Sequence, residues 1–332
     1  MSNSKLEALF SKLTQHPHVH EALLWIQDDS GGTVFLGMHE RTLDTPMLLA
    51  SVTKLWTTAC ILNLIDQGRL SLHDPLSQHL ESTWLSYAWV QPTSTIAQLL
   101  THLTGYPDYY LASKTHVFNS VRQQDFGFTR DDEFVWTETL KPKTNQAKQK
   151  AYYADINFTL LGLVLEAIHQ KPLFEVYDEV IVKPLNLTQS YLATGDDAVP
   201  ATYDGANRFD RPLFIKSCYA SGGVVSTAKE LMVFIRAFFS GQLFDPSHLD
   251  MTGKTLPLQW TFYPIRYGLG HMEIPVKMPF KAPLSLRGHA GSTGAFAYFC
   301  PQTKRYIVGD IPQINKPSRP VRLAMRAATY HD

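Results

Sequence analysis

Two stretches of the chain place apolar runs on either side of a turn. "EALLWIQDDSGGTVFLGM" (21–38) breaks at Asp-Asp-Ser-Gly-Gly, and "GAFAYFCPQTKRYIVGDI" (294–311) breaks at Pro301-Gln302-Thr303-Lys304. Each pattern predicts a β-hairpin. Other segments repeat at helical spacing. "SVTKLWTTACILNLIDQGRL" places Val52, Leu55, Trp56, Ala59, Leu62 and Ile65 on one stripe and closes at Gly68-Arg69, a common helix end. "TSTIAQLLTHL", "NFTLLGLVLEAIHQ" and "LFEVYDEVIVKPL" predict helices in the middle of the chain, between loops rich in aromatic, Pro and Asp residues. "STAKELMVFIRAFFSGQL" (226–243) and "SRPVRLAMRAATY" predict two more, and Leu6, Leu9, Phe10 and Leu13 predict a short amphipathic helix at the start.

Strands at both ends with helices between predict an α/β architecture of discontinuous parts. Residues 1–74 and 206–332 would form a mainly antiparallel sheet flanked by helices, and 75–205 an inserted, mainly helical domain. An active site would fall in the cleft between them. The chain has 332 residues, 44% of them hydrophobic and 18% charged, with a formal net charge of zero. That length supports a sizeable core. The charge balance offers no electrostatic grip on nucleic acid or an anionic membrane. No apolar run approaches the roughly 18 residues of a membrane span. The N-terminal segment lacks the pattern of a signal peptide, and Cys60, Cys218 and Cys300 are far apart and odd in number. Free thiols in a reducing compartment are expected, so the cytoplasm is the expected location.

Chemistry enters with Ser-x-x-Lys, which occurs at Ser2–Lys5, Ser51–Lys54 and Ser226–Lys229. The second sits at the start of a predicted helix, with Lys54 one turn on and facing the same way, whereas Ser2 lies in the N-terminal arm and Ser226 belongs to the later helix. No Gly-x-Ser-x-Gly elbow is present, and no Gly-rich phosphate loop follows a strand. His16, His18 and His20 alternate in "HPHVHE" and would face one way on a strand, as zinc ligands do. A surface turn explains them more simply, and no metal or cofactor is expected.

Three segments belong together: Ser51-Val52-Thr53-Lys54, Tyr153-Ala154-Asp155 before an apolar helix, and His289-Ala290-Gly291 at the edge of a predicted strand. In these the chain resembles the serine β-lactamase and penicillin-binding-protein-like hydrolases, specifically the class C β-lactamase-related branch with its family VIII esterases and D-amino-acid peptidases. "LLTHLTGYPDYY" (99–110), "GGVVSTAKELMVF" (222–234) and "YGLGHMEI" (267–274) are similar to further motifs of that family. The resemblance implies a β-lactamase/transpeptidase-like fold. It implies that Ser51 is the acylated nucleophile, with Lys54 and Tyr153 handling its proton. The backbone N–H groups of Ser51 and Ser292 would form the oxyanion hole, and Asp155, His289 and Gly291 would face the substrate. Asp108, His102 and Asn157 read as structural.

Two positions depart from the β-lactamase pattern. His289 stands where β-lactamases carry Lys, and an imidazole is mostly uncharged near pH 7. Asp155 stands where they carry Asn, and an ionised Asp only accepts hydrogen bonds. A carboxylate there would favour the ammonium form of Lys54, moving the base role toward Tyr153 or making Asp155–Lys54 a pair that positions Ser51. Both departures disfavour an anionic substrate. The expected partner is a small neutral ester or amide, most simply an ester. The alternatives are a D-amino-acid peptidase or amidase, a β-lactamase-type activity, and a non-catalytic ligand-binding homologue.

Overall fold

The computed structural model describes residues 3–112, 115–143, 150–194, 197–278 and 282–329. Ser2 of the first Ser-x-x-Lys lies outside them. Eight strands form one antiparallel sheet: β1 (Leu23–Asp28), β2 (Thr33–Gly37), β3 (Leu256–Pro257), β4 (Arg266–Tyr267), β5 (Met272–Val276), β6 (Leu284–Ala290), β7 (Phe296–Cys300) and β8 (Arg305–Asp310). Their order is β2-β1-β8-β7-β6-β5-β4-β3. The two hairpins foreseen from apolar runs around turn residues are β1–β2 and β7–β8. They meet inside the sheet, with Leu23 opposite Asp310 and Asp28 opposite Arg305.

Alternation along the strands feeds two cores. Leu24, Ile26, Ile274, Leu286 and Ile307 pack against Leu6 and Phe10 of α1 (Asn3–Thr14) and against the C-terminal helix Ser318–Ala328. Leu23, Trp25, Ala297 and Val308 face the larger core. That core holds α2 (Thr53–Asp66), α3 (Ile156–His169) and α4 (Ala228–Ser240). Thr227 caps α4 through its hydroxyl, and Gly241 ends it at φ +86°.

The stripe read along α2 understates its burial. Thr53 through Leu62 are all buried, so α2 is a core helix enclosed on every side rather than an amphipathic one. Lys54 is carried into that interior. A three-stranded sheet of Pro46–Leu48, Val224–Thr227 and Tyr191–Leu192 anchors the chain just ahead of α2. Ser226 lies in its middle strand rather than in α4, and its hydroxyl is hydrogen-bonded to that of Ser190 at 2.7 Å. Lys229 is paired with Asp44 at the surface, so the third Ser-x-x-Lys holds no joint site. His16 contacts Arg319 while His20 bonds the Gly205 carbonyl, and the three imidazoles do not converge. Among the described residues, no helix is long and apolar enough to cross a membrane.

Candidate active site

Ser51 sits in a single 3-10 turn, Ala50–Val52, that runs directly into α2. Ala50 has φ +44°, a left-handed conformation that costs a non-glycine residue about 1–3 kcal/mol and persists only where its surroundings enforce it. The Ser51 side chain does not cap the helix. It opens instead onto the cavity described below. Lys54, fully buried, places Nζ 3.3 Å from Ser51 Oγ, 2.7 Å from Asp155 Oδ1 and 2.7 Å from the Ser221 carbonyl oxygen. An ammonium has three protons to donate, and here it finds three acceptors.

Tyr153 and Asp155 arrive on the turn that opens α3. His102, itself at φ +55°, holds that turn. Its Nδ1 accepts from the Ala154 N–H at 3.3 Å and lies 3.0 Å from Asn157 Nδ2. The Tyr153 N–H donates to Gln259 Oε1 at 3.0 Å, and the phenol ring packs on His102. Burial and the Asp155 charge push the Tyr153 phenol well above its usual range, against a smaller opposing effect of its hydrogen bond with Ser51. Tyr153 is therefore a phenol at neutral pH, a proton donor rather than a resting base.

His289 departs from the expectation that it faces the substrate. It is fully buried at the end of β6, and its Nε2 lies 3.1 Å from Tyr267 Oη. Its Nδ1 lies 2.9 Å from the Ala290 carbonyl oxygen, which requires the proton on Nδ1 and leaves Nε2 to accept from Tyr267. Burial, with a smaller contribution from the Lys54 charge, lowers the imidazole to about 3. Both ring nitrogens are engaged, and only the residues after it (Ala290, Gly291, Ser292) reach the cavity. An unfolded imidazole titrates near 6.5. The folded chain thus binds fewer protons than the unfolded one between about 3 and 6.5, so stability present above that window is lost as pH falls through it. Burial lowers His102 and His271 in the same direction. Urea midpoints measured across this range should fall with pH. H289Q should show a flatter dependence, and an unchanged slope would contradict the assignment.

Gly291 ties the end of β6 to the Ser51 turn. A side chain there would overlap the Leu49 carbonyl oxygen and come within 3.0 Å of Ala50 Cβ. Thr293 Oγ1 donates to the Leu48 carbonyl at 2.9 Å on the same seam. Ser51 and Ser292 both line the cavity as a result. Gly291 acts here through backbone approach rather than through a contact of its own.

Ser51, Tyr153 and Asp155 open onto a cavity of about 1010 Å³. Tyr106, Tyr110, Phe118, Phe209, Phe214 and Phe262 supply its aromatic walls. Of the aromatics conspicuous in the flanking loops, Trp136 and Phe126 pack on the core instead, and Trp260 is 79% exposed. Asp108, passed over as structural, also lines the cavity. Burial and the neighbouring Asp155 charge push its carboxyl up to about 8. The shift comes first from burial and then from a residue on another turn, and neither is visible in the local sequence.

The sequence profile of the Beta-lactamase family matches residues 6–318. The D-alanyl-D-alanine-carboxypeptidase/endopeptidase AmpH of Escherichia coli (strain K12) is 26% identical over 220 residues, which are 65% of this chain and 55% of that protein. The chain spans about half the length of that relative. A D-stereospecific amidohydrolase from Streptomyces sp. superposes with a TM-score of 0.79 at 23% identity, over 98% of each chain. EstCE1, a hydrolase with promiscuous acyltransferase activity, superposes with a TM-score of 0.73 at 17% identity, over 99% of this chain and 98% of its own. These likenesses show a shared β-lactamase/transpeptidase-like fold, and with the match of the profile across nearly its whole length, the chain belongs to the beta-lactamase family.

Proposed function

We propose that the chain is a serine hydrolase that opens a small, uncharged or cationic ester or amide through an acyl-Ser51 intermediate, with esters the faster substrates. One observation carries this reading. Ser51 Oγ stands 3.3 Å from Lys54 Nζ, shares a hydrogen bond with the Tyr153 phenol, and faces a 1010 Å³ cavity.

In the proposed reaction a proton shifts from Lys54 to Asp155 along their 2.7 Å contact. The freed amine then takes the Ser51 proton as Oγ attacks the substrate carbonyl carbon. The developing oxyanion is met by the Ser51 and Ser292 N–H groups, donors of a kind worth about 3–4 kcal/mol each. Tyr153 gives its proton to the departing oxygen or nitrogen, and the proton taken up by Lys54 then returns to the phenolate, leaving Lys54 as the free amine. Water reverses the sequence and releases the acid. Esters lead because an alkoxide leaves more readily than an amine.

The charges of the site favour substrates without a carboxylate near the scissile bond. Asp155 lines the cavity beside Ser51 and buried His289 offers no cation there, while Lys141, Lys143 and Arg322 border the same cavity. Asp155 favours a second reading, an amidase or peptidase for D-amino-acid derivatives, in which it would receive a substrate ammonium. Rates on p-nitrophenyl acetate, D-alanine p-nitroanilide and nitrocefin test both. Like charges brought together cost several kcal/mol, so nitrocefin should turn over at least about a hundredfold more slowly than the acetate. Comparable rates would overturn the reading, and an anilide faster than the ester would favour the second one. Ligand binding without turnover would mark a non-catalytic protein.

A further inference from the structure

Ser51 stands between two compartments of very different size. Beside the large cavity lies a void of about 30 Å³, walled by Ala50, Phe128, Ile215, Cys218, Ser221 and Gly222. Ser51, Asp155 and Ser292 border both spaces. Tyr153 and Gln259 border only the large one. The group that protonates the departing atom therefore lies on the large side.

From this division we infer that the small void receives the acyl substituent and limits it to a short alkyl group, while the large aromatic cavity receives the leaving group. The inference rests on the acyl-Ser51 reading and narrows it to substrates with a short acyl part and a bulky departing part. On one and the same measure the small space has about 30 Å³ and the large cavity about 1010 Å³, so only the large one has room for a bulky group.

The walls do not yield easily. Phe128 is fixed by its N–H, which donates to Ser217 Oγ at 2.7 Å. Ile215 is 2% exposed in the helix Pro212–Ser217. Gly222 approaches so closely that a side chain on it would come within 3.1 Å of Cys218 Cβ. Forcing extra methylenes into a packed site of this kind displaces side chains and backbone, and one methylene in a fitted pocket changes rate by about tenfold or more.

A series of p-nitrophenyl esters from acetate through propionate, butyrate and hexanoate to octanoate tests the inference on the intact chain. The expected kcat/KM is highest for acetate or propionate and falls at least about a hundredfold by hexanoate. I215A should move the optimum toward butyrate. C218A, a smaller change at a partly exposed wall position, should raise the butyrate-to-acetate ratio in the same sense if I215A does not fold. A series that is flat or rises with length would overturn the inference while leaving acyl-Ser51 chemistry standing, and the void would then hold only water. Turnover of no ester in the series, with no adduct on Ser51, would overturn the underlying reading and the inference together.

Discussion

K54M is expected to lower kcat for ester hydrolysis by about 10⁴-fold, the scale seen when one member of a nucleophile–base unit is removed. Two losses coincide in that variant. Ser51 loses the nitrogen 3.3 Å from its hydroxyl, and Asp155, its side chain 17% exposed, loses its buried counter-ion. Leaving one member of a buried pair uncompensated costs about 3–5 kcal/mol of stability. The double variant K54M/D155N separates the two effects. It should recover most of the stability, because two neutral side chains replace a buried ion pair, and it should recover none of the rate. Activity regained together with stability would mean that Lys54 holds the fold and not the proton. Urea unfolding and steady-state kinetics on the three proteins make the comparison.

G291A carries the second large effect. The added methyl group would meet the Leu49 carbonyl oxygen, backbone that cannot rotate away as a side chain would. Relief requires the end of β6 to move off the Ser51 turn, taking the Ser292 N–H with it. Loss of one oxyanion donor lowers kcat by about 10²–10³-fold. KM should change less than kcat, since the aromatic walls of the cavity come from other segments. Overpacking should also cost about 1–3 kcal/mol of stability. The split between kcat and KM distinguishes a displaced donor from general loosening, and a G291A protein with full kcat would remove Ser292 from the oxyanion role.

Much of this was legible in the sequence, for reasons that differ by element. The hairpins at 21–38 and 294–311 announced themselves because short apolar runs flank clusters of turn residues, and their pairing with each other makes the sheet discontinuous in sequence. Short strands such as Pro46–Leu48 and Tyr191–Leu192 carry too few residues to show a period. The Asp155–Lys54 pair followed from the substitution of Asp into an Asn position. The full burial of Lys54 did not, because the stripe on α2 suggested one wet face where α3 and the segment around Ser221 close over it. His289 was legible as part of a triplet but not as a side chain turned inward onto Tyr267. That orientation depends on which face of β6 meets β4 and β5. Asp108 was read as structural because its place on the cavity and its raised carboxyl depend on burial and on Asp155, both supplied only by the fold.

Labelling by a fluorophosphonate, read as intact mass, tests the central claim most directly. Attack by Ser51 Oγ on phosphorus expels fluoride and leaves a stable adduct. The account predicts one adduct per chain, mapped to the peptide holding Ser51, absent from S51A and much slower to form in K54M. No adduct, or one at Ser221, Ser226 or Ser292 with Ser51 unmodified, would contradict it.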